Sequence, residues 1–357
     1  MKKIGILTFQ FPENRNFGAS LQSYACMKLL KKFNKNVELI NYYKNDFDYS
    51  FKERILSWIE SNKFFEYNKK FLNLTRKITS NENLDFLNKE FDTFIVGSDQ
   101  VWRDKYLNKK TKHYFLDFVD DNKKKIAYAA SFGIDFWEGD KRLTEEIKTL
   151  IKKFDSISVR EESGIDICRD TFGIDNVICV LDPTLMISKE DYQLILDDWK
   201  DKSHLKKKYI AHMLLDDNEK LKRESQNIAD YLKADINYIK GKYKKILWKN
   251  YFAYNKVSQW LTYLKDAELI ITDSFHCTVF SLIFHKKFIV VANPVRGIAR
   301  LETLLGKVGL KDRFFTNIED VMKSGILDKE IDYNEVDKKL EVHRRYSMEF
   351  LKKALED

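Results

Sequence analysis

Short apolar runs alternate with amphipathic stretches along nearly the whole chain, and few folds satisfy that order. Residues 3–9 are a nearly continuous apolar run, as a strand buried on both faces requires. A loop with Pro12, Asn14, Asn16 and Gly18 follows, then a helical pattern through Leu21, Ala25, Leu29 and Leu30, then a second strand at 37–42. This order predicts parallel sheets with right-handed crossovers. Further strands are expected at 91–96, 125–130, 156–159 and 176–181, with helices at about 140–153 and 161–171. Past Pro183 the alternation resumes, with strands at 209–215, 235–239, 268–272 and 288–292 and helices at 218–233, 256–265 and 274–285. The architecture expected is α/β: two doubly wound, Rossmann-like domains facing across a cleft. A C-terminal amphipathic helix through Val336, Leu340, Ser347 and Leu351 packs back on them. The expected division is 1–185, 186–315 and a helical segment 316–357, with a helical insertion rich in aromatics and lysines at about 50–90.

Composition narrows the function. The 357 residues are 44% apolar, ample for sizeable cores, so a disordered or low-complexity chain is excluded. Lys+Arg 63 against Asp+Glu 55 leaves +8, with the lysines scattered among acids. Dedicated nucleic-acid binding needs a basic stripe or arm, and there is none; weak attraction to anionic lipids or phosphorylated ligands is compatible with the excess. Cys26, Cys168, Cys179 and Cys277 lie far apart without a C-x-x-C or a nearby His pair, so neither a disulfide framework nor a zinc site is expected. No apolar run approaches the roughly 18 residues of a membrane span. The run at 4–9 is too short for a signal peptide and ends at Gln10 and Pro12. The expectation is a cytoplasmic protein, or one peripheral at the inner face of a membrane.

In such sheets ligands bind beyond the carboxyl ends of the strands, where loops and helix N-termini converge. Four segments stand there. In the loop 14–22, backbone N–H groups with Gly18 permitting close approach suit a carboxylate or phosphate; equally, Asn16 simply caps a helix. The loop lacks G-x-G-x-x-G, and no Walker A motif occurs, which disfavours ordinary dinucleotide or P-loop binding. In 97–102, Asp99 reads locally as a helix N-cap with Trp102 as a core anchor, the alternative being a general base toward a hydroxyl. Arg160 emerges where a strand stops, suited to a carboxylate or phosphate, or to a surface pair with Glu161 or Glu162. The strongest feature is 269–278, where a β-branched strand runs into polar residues that open an apolar helix. It puts His276 in the first helical turn, where the helix dipole favours the neutral imidazole. Among the other histidines, His212 reads as a packed or edge residue and His285 as a surface residue, while His113, His204 and His343 have no such context. Arg296 and Arg300 flank Gly297 after the last strand of the second domain, either as surface charge or to close over an anion.

Six segments in order (16–25, 94–102, 127–133, 158–161, 180–184 and 271–276) resemble the polysaccharide pyruvyl transferase family, the likeness covering roughly residues 4–310. The resemblance implies a fold like that of two-domain glycosyltransferases, with the active site in the cleft, the acceptor on the first domain and the donor on the second. It implies transfer of pyruvate from phosphoenolpyruvate to a sugar as a cyclic ketal, in a surface glycan or its lipid-linked precursor. That chemistry requires no metal or redox cofactor in principle. By the same resemblance His276 matches the catalytic histidine, in proton transfer or in stabilising the departing phosphate. Arg160 falls on the donor's charged groups, Asn16 and Gly18 shape the donor site, and Asp99 orients or deprotonates the acceptor. Many members carry an arginine two residues before the histidine, where this chain has Ser274; the expectation is that Arg300 or Arg296 supplies the charge. The segment 50–90 either faces a lipid-linked or polymeric acceptor or covers a sheet edge. Two other functions fit: a nucleotide-sugar-dependent glycosyltransferase of similar fold, and a catalytically silent glycan-binding protein.

Overall fold

The structure, a computed structural model, describes residues 2–33, 36–43, 51–107, 109–200, 208–246 and 249–356. Strands β1 (Lys3–Leu7), β2 (Asn36–Leu39), β3 (Thr93–Val96), β4 (Lys124–Ala130), β5 (Ser156–Val159) and β6 (Val177–Cys179) form one parallel sheet. Its order is β2-β1-β3-β4-β5-β6, with Ile4 beside Thr93 and Leu7 beside Val96. A second sheet holds β7 (Tyr209–Met213) and β8 (Asp235–Tyr238); the chain then makes an antiparallel hairpin of β9 (Gly241–Ile246) and β10 (Lys249–Tyr254). Strands β11 (Leu269–Thr272), β12 (Lys287–Val291) and β13 (Phe314–Phe315) complete that sheet in the parallel order β13-β12-β11-β7-β8. The α/β expectation holds: both are doubly wound, Rossmann-like sheets.

The order reverses between β1 and β3 in the first sheet and between β7 and β11 in the second. The loops after these four strands diverge there and leave a crevice beyond the carboxyl ends. Both crevices open on one cleft. The two halves are welded beneath it, because one apolar cluster joins Ile6, Ile95 and Tyr128 of the first sheet to Ala211, Ile270 and Val290 of the second. The C-terminal helix Tyr333–Leu355 packs back across both: Ser347 Oγ accepts from Leu181 N at 3.0 Å, and Arg344 Nε donates to the Leu185 carbonyl at 2.8 Å. Among the described residues, no helix is long and apolar enough to cross a membrane.

Several expectations need correction. The strands at 3–9 and 209–215 are shorter than their apolar runs, because their last residues leave the ladder to line the cleft. The hairpin β9–β10 and the helix Ala299–Val308 were not expected at all. In the hairpin, lysines at Lys242, Lys244 and Lys245 mask the alternation that marks a strand. The insertion, whose first residue 50 lies outside the described residues, forms the helix Phe51–Phe71. That helix lies across the N-terminal helix Phe17–Lys31 and the hairpin, while the rest of the insertion covers a sheet edge, as one of the two readings expected. Phe64 meets Phe17 at 5.1 Å between centroids, and Lys63 Nζ donates to the Tyr254 carbonyl at 2.6 Å. The edge of β2 is covered by the chain after it, where Leu74 bridges to Leu39 and Ile78 to Tyr42.

Candidate active site

His276 is placed by a local rule and then buried by the other half of the molecule. After β11 the chain turns through Asp273 and Ser274 into the helix Phe275–Ile283, whose N-cap Ser274 makes no side-chain capping bond. The first amides of that helix therefore keep no intrahelical partner. His276, in its first turn, is 6% exposed. Its Nε2 stands 3.6 Å from Asp182 Oδ2. Its Nδ1 edge lies against Gly18, where a methyl group would come within 2.2 Å of Nδ1. Gly18, expected to admit a ligand, thus admits the imidazole from the opposite half.

The carboxylate behind the histidine was not singled out in the sequence, where 182–184 read as a domain end. Asp182 follows β6 and is buried. Its Oδ2 accepts from Arg160 Nη1 at 2.7 Å and from Ser98 Oγ at 2.9 Å, and its Oδ1 accepts from Thr184 N at 3.0 Å. Burial alone favours the neutral acid, but the contacts from His276, Arg160 and Thr184 outweigh it and hold the Asp182 carboxyl well below the usual carboxylate range. The carboxyl-end rule that selected the other segments applies to Asp182 as well, and the segment 180–184 that holds it stands among the family-like motifs; these were the signals available.

Arg160 is neither a surface residue nor a wall of the cleft. It is buried between Asp182 and Asp99 Oδ1, the latter at 3.4 Å, with its guanidinium 4.3 Å over the Phe275 ring. Glu161, read as its surface partner, is also buried; its Oε1 accepts from Ser131 Oγ at 2.9 Å, Phe132 N at 2.8 Å and Gly133 N at 3.1 Å. Burial pushes the Glu161 carboxyl up, against the pull of Arg160 and Arg300. Asp99 caps no helix: its φ is +75°, its carbonyl accepts from Ser131 N, and the chain bridges to Ala130 before turning. Trp102 is the expected core anchor, stacked at 4.9 Å on Phe115.

A cavity of about 550 Å³ opens between the halves and gathers Asn16, Gly18, Asp99, Ser274, His276, Arg296 and Arg300; of the sequence-predicted site residues Arg160 alone stands behind its wall. Asn16 both lines the cavity and caps the helix Phe17–Lys31, its Oδ1 accepting from Ala19 N at 3.1 Å. Arg296 is tied down by Asp216, with Nε and Nη2 donating at 2.8 and 2.7 Å, which draws the Asp216 carboxyl down to about 2. Arg300 is different. Its guanidinium is buried, its Nη2 donates to the Arg296 carbonyl at 2.8 Å, and among the described residues no carboxylate pairs with it. Burial and the neighbouring Arg160 pull it down to about 10. Lys240, in the turn before the unforeseen hairpin, also lines the cavity, its pKa lowered by burial and by Arg296.

The loop that carries these arginines is docked on the first half. Arg103 donates to the carbonyls of Val295 and Arg296, both at 3.4 Å. Gly297, at φ +82°, lies so close that a methyl group there would stand 1.8 Å from the Gly133 carbonyl oxygen. Elsewhere, His212 is packed in the sheet with Nε2 3.0 Å from Ser225 Oγ, and His285 is half-exposed beside Asp337. His204 lies outside the described residues. Among the described residues no three His, Cys, Asp or Glu side chains gather as a metal ion would require. Cations and two helix N-termini around one cavity suit a small polyanion, and a buried carboxylate behind an imidazole suits proton transfer.

Solved structures share the fold. The UDP-GlcNAc 2-epimerase of Methanocaldococcus jannaschii resembles this structure over 98% of this chain and 100% of its own, at 15% identity and a TM-score of 0.56. The UDP-GlcNAc 2-epimerase of Neisseria meningitidis, solved bound to UDP-GlcNAc, does so over 99% and 100%, at 10% identity and a TM-score of 0.54. A putative UDP-N-acetylglucosamine 2-epimerase of Listeria monocytogenes covers 95% and 91%, at 10% identity and a TM-score of 0.55. At such identities the likeness is one of fold, two Rossmann-like domains arranged as in the GT-B glycosyltransferases. No curated protein matches the sequence. The family model for polysaccharide pyruvyl transferase matches residues 16–294, a span that holds Asn16, Gly18, Asp99, Asp182 and His276, so the chain that builds this cleft belongs to the polysaccharide pyruvyl transferase family.

Proposed function

We propose that this transferase takes pyruvate from phosphoenolpyruvate and closes it as a cyclic ketal on two hydroxyls of one sugar residue in a surface glycan. The observation that carries the reading is Arg300, a buried guanidinium without a carboxylate partner among the described residues, opening on the same cavity as His276. Glu161 and Asp99 attract Arg300 without an ion pair; a buried guanidinium lacking such a pair costs free energy unless an anion meets it, so its presence supports a resident anionic ligand. Phosphoenolpyruvate brings a carboxylate and a phosphate. Arg300, Lys240 and the open amides of the helix Phe275–Ile283 supply the positive field for them, and Arg300 stands in for the arginine that Ser274 replaces.

In the reaction an acceptor hydroxyl oxygen bonds to the central carbon of phosphoenolpyruvate while the methylene carbon takes a proton and becomes a methyl group. The second hydroxyl then displaces phosphate and closes the ring, its proton leaving with the phosphate. His276 is the proton carrier: Asp182 faces Nε2 and orients the ring, while the Nδ1 edge meets Gly18 at the cavity wall. Arg160 is a positioning residue that holds Asp182 and Asp99 in place, and Asp99, on the first half, orients the acceptor hydroxyl.

Thermal shift tests the donor. Phosphoenolpyruvate is expected to raise the melting temperature and UDP to leave it unchanged. Stabilisation by UDP alone would overturn the reading in favour of a nucleotide-sugar enzyme. Phosphate release with mass spectrometry of sugar acceptors then tests the transfer, the expected product carrying one ketal-linked pyruvate.

A further inference from the structure

The cavity does not end at His276. Met213, Leu215, Lys240 and Tyr254 line both it and a second groove of about 860 Å³ that runs outward along the hairpin β9–β10. Three rings follow that groove. Tyr254 stands at the cavity, Phe252 next to it at 4.9 Å between centroids, and Tyr243 beyond at 5.1 Å from Phe252. The row follows from the pleat: residues two apart on a strand share a face, and Phe252 and Tyr243 are partners in register. The innermost ring is fixed, since Tyr254 also packs on Phe17 at 6.5 Å and on Phe64 at 6.1 Å. The outermost, Tyr243, is 79% exposed, a large apolar face that this chain leaves open. Lys242 and Asp217 also line the groove, and Lys240 Nζ lies 5.9 Å from the Phe252 ring centre.

Pyranose rings present apolar C–H faces and polar edges, which matches aromatic faces bordered by charged groups. The groove is concave and continuous with the place where the reacting sugar must sit, so a chain of sugars entering it needs no bend away from the protein. We propose that the hairpin groove is the outer part of the acceptor site. It holds the sugars next to the modified residue, stacked on Phe252 and Tyr243, and Lys242 favours acceptors that carry carboxylate or phosphate groups. Tyr243 is thereby a specificity-determining residue. The inference rests on the reading of the cavity as a site of transfer to a sugar.

The test is an array of oligosaccharides one to eight residues long, with and without uronic acid or phosphate groups, probed with the full chain. Binding is expected to rise with length and with acidic groups. Tyr243→Ala is expected to weaken the longer acidic members about tenfold, the worth of one aromatic contact. Lys242→Glu is expected to remove the preference for acidic members while keeping that for length. Equal binding by Tyr243→Ala, or no binding of any member longer than a monosaccharide, overturns the proposal. So does sedimentation with anionic vesicles that depends on Tyr243 in the absence of array binding, which would assign the row to a membrane. Array binding does not depend on the donor: a chain that binds long glycans through Tyr243 yet releases no phosphate from phosphoenolpyruvate keeps this inference and sinks the proposed reaction.

Discussion

At the carboxyl end of the first sheet, Arg160 is closed between Asp182 and Asp99; at the end of the second, Arg300 is buried, hydrogen-bonded to a backbone carbonyl and in an ion pair with no carboxylate among the described residues. Both guanidiniums flank the same ring, Phe275, at 4.3 and 5.9 Å. The difference is one of partners. The first sheet neutralises its charges internally, which makes a rigid electrostatic base whose loss is felt by the whole fold. The second pairs Arg296 with Asp216 but leaves Arg300 to be met by something that arrives, which is how an anion site is built. His276 stands at the seam: it belongs to the second half and touches Asp182 and Gly18 of the first.

That contrast breaks most visibly at Asp182. Asp182→Asn leaves Arg160 buried with only the more distant Asp99 as an ion-pair partner among the described residues, where complete loss of a buried partner costs about 3–5 kcal/mol. Denaturant unfolding is expected to show that loss together with the loss of turnover, and an unchanged midpoint would mean that the first sheet is not the rigid half. His276→Ala comes next, lowering turnover by roughly 10²–10⁴-fold as the removal of a proton carrier does. Stabilisation by phosphoenolpyruvate should survive in that variant, because the cations remain. Arg300→Ala should act in the opposite sense: phosphoenolpyruvate affinity falls about 10–100-fold, the worth of a charged hydrogen bond, while the unliganded fold loses little. If affinity is unchanged in Arg300→Ala while His276→Ala abolishes turnover, the substitution of Arg300 for the missing arginine at 274 is wrong.

The smallest effect sharpens the comparison away from the cleft. His212 in β7 is buried beside Ser225, and burial pulls it down to about 4. The unfolded chain takes up that proton first, so the stability it contributes is complete above pH ~6.5 and is lost as pH falls toward 4. Between pH 7 and 5.5 the loss is about 1 kcal/mol. Subtracting the stability curve of His212→Gln from that of the unaltered chain should isolate this slope, and parallel curves would show that the histidine is solvated.

Legibility followed sequence separation. The helix Phe275–Ile283 and its histidine were readable because strand, turn and helix are contiguous and each obeys a local rule. Gly18, Asp99, Arg296 and Arg300 were readable as residues at strand ends, though not what each would touch. Asp182 was passed over because a proline after a strand also marks a boundary, and that local rule competed with the functional one. The hairpin escaped because surface lysines blur its period of two, and with it went Lys240 and the aromatic row. The insertion helix was legible as a helix but not in its place, since nothing local says that Phe64 meets Phe17.

By itself the order of residues determined that two doubly wound parallel sheets would form, which ends of them would carry polar loops, and which family the motifs match; these depend on backbone periodicity and on residues near each other in the chain. Only the tertiary structure decided that Arg160 turns inward while Arg300 meets no carboxylate in an ion pair among the described residues, and that a carboxylate from one half lies behind an imidazole from the other. Those outcomes are set by which charges share a low-dielectric space, and that space exists only once both halves have closed on their common apolar layer.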